Sequence, residues 1–144
     1  RLGVAAGNRV AIGALRKLKT HADSGHFLPI QEGAVAALTG DQGWLAKRNA
    51  VYQARRDVTM NALQSVGLQP HASKASLYIW CPIPEGWRSM DFALHILNTA
   101  HVSVTPGTIF GPRGEGYFRL SLVQPEEVIE AAMQRMKNLL KVAC

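Results

Sequence analysis

Residues 106–122 read Pro106-Gly107-Thr108-Ile109-Phe110-Gly111-Pro112-Arg113-Gly114-Glu115-Gly116-Tyr117-Phe118-Arg119-Leu120-Ser121-Leu122. Four glycines and two prolines within the first eleven of these positions call for turns and positive φ angles, which gives a loop whose backbone course is specified rather than floppy. A strand follows it. From Phe118 onward the alternation puts Phe118, Leu120 and Leu122 on one face and Arg119 and Ser121 on the other, so the guanidinium points away from the apolar layer. A planar fork with fixed donors matches a carboxylate bidentately, and an arginine held just beyond a braced loop suits gripping an anion. The alternative is an arginine that is merely exposed on a strand.

Upstream, short structural units alternate. Leu2 to Gly7 is small-residue-rich and glycine-bounded, as expected of a buried strand of a parallel sheet. Asn8 is placed to cap a helix to about Ala22, with Ala11, Ala14, Leu15 and Leu18 at helical spacing. A second helix is expected between Pro29 and Thr39. Asp41 then opens a long helical pattern, with Trp44, Leu45, Val51, Val58, Ala62 and Val66 near one stripe up to Gly67. Lys47-Arg48 and Arg55-Arg56 read as its solvated face. Leu77, Ile79 and Cys81 alternate with Tyr78 and Trp80 in a strand closed by Pro82 and Pro84. Ser89 is expected to cap a helix to about Ala100, and Val102–Val104 to form a short strand. Pro125, Glu126 and Glu127 start a final helix whose Val128, Ile129, Ala132, Met136, Leu139 and Leu140 face inward. Three strands and two helices then make a two-layer α/β sandwich.

Composition excludes several classes. Hydrophobic residues make up 47% and charged residues 18% of the 144, ordinary for a globular chain. No apolar run approaches the roughly 20 residues that span a bilayer, and no signal-peptide pattern opens the sequence, so neither a membrane nor secretion is expected. Cys81 and Cys144 form no disulfide framework, which fits a reducing, cytoplasmic setting. The five histidines show no metal-ligand spacing. A net charge of +6 raises a nucleic-acid reading. Residues 1–60 hold nine Lys/Arg against four Asp/Glu, however, and residues 61–144 seven against six, which is an uneven balance rather than a binding stripe.

The wording of 106–122 resembles the C-terminal signature P-G-x-x-F-G-x-x-G-x-x-x-x-R-x-S-L of the fold-type-I, pyridoxal-phosphate-dependent aminotransferases (class I/II). The runs Leu77-Tyr78-Ile79-Trp80 and His101–Gly107 look most like the LL-diaminopimelate and aspartate-like branch. The resemblance implies that Arg119 holds the α-carboxylate of an amino-acid substrate. It also implies that Arg1-Leu2-Gly3 ends a Gly-x-Arg-x-Gly motif, with Arg1 on the cofactor phosphate. A terminal arginine without that role is the alternative. The Schiff-base lysine would precede residue 1. Ser73-Lys74 only copies its dipeptide, and no Gly-x-Arg-x-Gly follows.

By this resemblance residues 1–40 are a remnant of the large cofactor domain, 41–66 a long interdomain helix and 67–144 the small C-terminal domain of the transferase fold. The parent would be a homodimer that transfers amino groups between amino acids and 2-oxo acids, with pyridoxal 5'-phosphate as electron sink. The 144-residue chain alone would be inactive and would not retain the cofactor. A stand-alone binding or regulatory module and a basic nucleic-acid-binding protein are the alternatives.

Overall fold

A computed structural model describes residues 2–142, with side chains to Leu139. Arg1, the inward-facing Leu140 and Cys144 of the sequence reading lie outside the residues so described. The chain divides into two compact units, Arg1–Ala46 and Lys47–Cys144.

In the first unit, α1 (Arg9–Ala22) begins as expected, with Asn8 Oδ1 accepting from the amides of Val10 and Ala11 at 2.9 and 3.3 Å. These are two of the orphan donors of a helix start. α2 (Leu28–Thr39) has Pro29 in its first turn, where the missing N–H costs nothing. The strand expected at Leu2–Gly7 is absent, and the segment is irregular and exposed. A strand exists only by pairing, and among the described residues no other strand runs beside it. Neither α1 nor α2 contains a buried residue.

α3 (Gly43–Gln64) starts where Asp41 Oδ1 accepts from the Gly43 amide at 3.0 Å. It stops where Gly67 takes φ +84° and Leu68 N donates to Leu63 O at 3.2 Å, closing the last turn with a left-handed glycine. Its buried residues are Thr59 and Leu63, while Trp44 and Val51 of the expected stripe are exposed. The expected solvated face is half wrong. Lys47 and Arg48 are exposed, but Arg55 and Arg56 are half-buried. Arg55 Nη1 donates to Leu122 O at 3.0 Å and Arg56 Nη1 to Ser73 O at 3.3 Å, so these two arginines tie the helix to the chain that follows.

The second unit is an α/β sandwich around a three-stranded antiparallel sheet in the order β1 (Tyr78–Pro82), β3 (Tyr117–Ser121), β2 (Thr105–Pro106). The short strand expected at Val102–Val104 falls at Thr105–Pro106 instead, because His101 at φ 52° ends the preceding helix and the chain needs residues 102–104 to reach the sheet edge. α4 (Ser89–Ala100) and α5 (Glu126–Val142) complete the layers. The core gathers Ile79, Cys81, Phe118 and Leu120 from the sheet with Phe92 and Ile96 of α4 and Ile129, Met133 and Met136 of α5. Phe92 and Phe118, with ring centroids 5.5 Å apart, sit at its centre. Leu77, expected inside, is 38% exposed just before β1, and Val128 of α5 is also exposed. Met133, a turn beyond Ile129, takes the inward place.

Candidate functional site

Arg119 sits in the middle of the central strand, opposite Trp80 of β1 and Thr105 of β2. Its neighbours Phe118 and Leu120 are buried, so strand alternation delivers the guanidinium to the other face, as the sequence predicts. On that face are aromatic rings. The Arg119 Cζ lies 4.0 Å from the Tyr78 ring centroid and 4.5 Å from that of Phe110, both inside cation–π range. Trp80 stacks on Tyr117 at 5.4 Å and meets Phe110 edge-on at 5.8 Å. Among the described residues no hydrogen bond or ion pair reaches Arg119, and its Nε is buried without a partner. A cation with its donors unspent on a largely apolar face is ready to receive an anion.

The glycine loop sets this geometry in two ways. Thr105–Pro106 leads into a 3-10 turn at Gly107–Phe110, and a second turn follows at Pro112–Gly114. Gly111 and Gly116 supply positive φ, +115° and +84°, as the sequence predicts. Gly107 and Gly114 do something else, for a Cβ on Gly107 would meet Gly114 O at 2.1 Å and one on Gly114 would meet Gly107 O at 2.0 Å. The two turns close against each other only because both residues lack side chains.

A clasp then fastens the loop to α4. Ser89 does not cap its helix as expected, since the cap position is Arg88 and its side chain makes no capping bond. Instead the buried Ser89 Oγ accepts from the amides of Gly116 and Tyr117 at 2.9 and 3.2 Å. Glu115 Oε1 accepts from the Ser89 amide at 2.8 Å and from the Gly116 amide at 3.2 Å. A carboxylate from the loop thus caps the start of α4. The Ser89 amide beside it, with Gly116 N–H and Arg88 adding to the effect, holds the Glu115 carboxyl below the usual glutamate range. Sequence reading missed Tyr78, Phe110, Ser89 and Glu115 as parts of the site. Alternation had placed Tyr78 and Trp80 on the polar side of β1, but only the strand register brings that side to Arg119.

The remaining sequence candidates are dispersed. Ser73 and Lys74 lie in the loop before β1, and among the described residues no group of histidine, cysteine and acidic side chains could hold a metal. Burial pushes the Cys81 thiol up to about 12, which leaves it inert. No helix of the described residues is long and apolar enough to cross a membrane.

The chain as a whole is similar to proteins of one known family. A family model described as aminotransferase class I and II matches residues 1–136. The chain belongs to the class I and II aminotransferases. It is 48% identical over 138 residues to an LL-diaminopimelate aminotransferase of Dehalococcoides mccartyi, an alignment covering 96% of this chain and 36% of that protein. Solved aminotransferase structures agree in fold. One from Staphylococcus aureus superposes with a TM-score of 0.84 at 30% identity, over 94% of this chain and 36% of its own. The substrate-bound BacF structure from Bacillus subtilis gives 0.80 at 32% identity, over 93% and 35%. The chain therefore spans about a third of the length of the curated relatives it matches.

Proposed function

We propose that this chain is the substrate-carboxylate-binding part of a pyridoxal-phosphate-dependent aminotransferase whose parent moves an amino group between an amino acid and a 2-oxo acid. One observation carries the reading: Arg119 stands on the face of the central strand away from the core, with no anion among the described residues to satisfy it. Gripping the α-carboxylate there removes rotational freedom and presents the neighbouring Cα–H bond in a fixed direction, which is how binding energy becomes rate. The diaminopimelate named for the D. mccartyi relative favours a diamino dicarboxylate as the amino donor. In this reading residues 1–40 belong to the parent's large domain, 41–66 join the domains and 67–144 are the small domain.

The described residues do not make a cradle for the cofactor. An aldehyde needs a lysine beside it, but Lys17 and Lys19 are on α1, Lys47 on α3, Lys137 and Lys141 on α5, and Lys74 is in a loop. None stands on the strands that carry Arg119. Lys19 is moreover paired with Asp23 at 2.6 Å. Arg1, expected on the cofactor phosphate, lies outside the described residues. The 144-residue chain is accordingly expected to show no transamination.

Arg119→Lys tests the reading in a parent enzyme that includes an upstream Ser-Lys segment. Ammonium cannot reproduce the bidentate fork, so amino-acid turnover should fall by about a hundredfold or more, the loss of a desolvated charge-assisted pair, while cofactor absorbance is retained. Unchanged amino-acid kinetics in that variant would sink the assignment.

A further inference from the structure

We propose that Tyr78 and Phe110 are positioning residues that fix the plane of the Arg119 guanidinium, so that a carboxylate can engage it only end-on, through the two Nη groups. The inference rests on the carboxylate reading of Arg119 and specifies its geometry.

Both rings lie close over Cζ, at 4.0 and 4.5 Å. In this proposal one ring lies against each face of the guanidinium. They also come from opposite flanks of the central strand. Tyr78 is on β1, paired with Ser121, whereas Phe110 ends the turn that follows β2. Neither plate is loose. Phe110 leans edge-on against Trp80, Trp80 is stacked on Tyr117, and the turn that carries Phe110 is shut at its base by the Gly107–Gly114 approach.

A guanidinium offers two bidentate edges, the end-on pair of Nη groups and the side-on pair of Nε with one Nη. The buried, unpartnered Nε closes the second edge. An end-on carboxylate is coplanar with the guanidinium, and its bond to Cα continues the line of the arginine's Nε–Cζ bond. The plates therefore fix the direction in which the substrate carbon projects, which simple charge attraction would leave free. A lysine, or an arginine without plates, would hold the charge without that direction.

The test uses the 144-residue chain with isotopically labelled arginine, titrated with acetate and followed by nuclear magnetic resonance at Arg119. The Nη signals should move saturably while Nε moves least. Phe110→Leu and Tyr78→Leu, each at an exposed position, should both speed rotation about the Cζ–Nε bond and weaken acetate about two- to fivefold, the change expected from losing one exposed cation–π contact. Arg119→Ala should abolish the saturable response at neighbouring Trp80. No saturable acetate response in the unmodified chain would overturn the carboxylate reading and this inference with it. A response in which Nε moves together with the Nη pair, or leucine variants that bind acetate and rotate as the unmodified chain does, would overturn the inference alone.

Discussion

Ser89 shows how one small side chain can serve a site it does not touch. Its Oγ satisfies two amides at the entrance to β3, those of Gly116 and Tyr117, three and two residues before Arg119. Ser89→Ala leaves the partly buried Tyr117 amide without an acceptor and the Gly116 amide with only its bond to Glu115 Oε1, and an unmet buried donor costs about 1–3 kcal/mol. We expect a drop of that order or somewhat more in unfolding free energy, read from the urea midpoint, with Ser89→Thr recovering part of it. An alanine variant as stable as the original would mean the clasp is incidental. Glu115 adds a pH dependence. Its carboxyl is held below the ordinary range by the Ser89 amide, so as pH falls the unfolded chain takes up this proton before the folded one does. The contribution is therefore present at neutral pH and lost as pH drops through the lowered folded-state value. Glu115→Gln should be less stable than the original at pH 7 and should converge with it in acid. Because Glu115 is fully exposed, solvent screening keeps the effect small. A gap between the two proteins that does not narrow toward low pH would contradict the capping role.

At the scale of elements, the two units differ in what anchors them. α1 and α2 contain no buried residue, whereas α4 and β3 place Phe92, Ile96 and Phe118 at 1% exposure or less. Local opening costs least where few apolar contacts are broken. Amides of residues 9–39 should exchange with deuterium well ahead of those in β1, α4 and β3, and comparable protection across all of them would refute this. The same contrast explains what could be read from the sequence. Asn8, Asp41 and the alternation at 118–122 were legible because capping and strand faces are set by neighbours in the chain. The missing Leu2–Gly7 strand was not, since pairing depends on a partner outside the local pattern. Arg55 and Arg56 looked like solvent-facing charges because helical spacing cannot reveal a carbonyl 67 residues away, the one Arg55 finds at Leu122. For the site, Arg119 could be found from its motif and its alternation. Tyr78, Phe110, Ser89 and Glu115 reach it through register and loop closure, which the residue order does not display.

For the molecule as a whole, the buried hydrophobic residues among those described all belong to Lys47–Cys144, and so does most of the positive excess, with eleven Lys/Arg against seven Asp/Glu there and five against three in residues 1–46. A chain of residues 47–144 should unfold at a urea midpoint close to that of the full chain. A truncated chain that fails to fold, or melts much earlier, would show that the first unit contributes to the core. The placement of Arg119 between Phe118 and Leu120 has one more consequence, for quality control during folding. Slipping β3 by one residue against its neighbours would turn the cation inward and two apolar side chains outward, since the faces alternate with period two. Burying an unpaired guanidinium is costly, so a mispaired sheet could not persist as a stable but silent product. The arginine that would hold the substrate also serves as the proofreader of the strand that carries it.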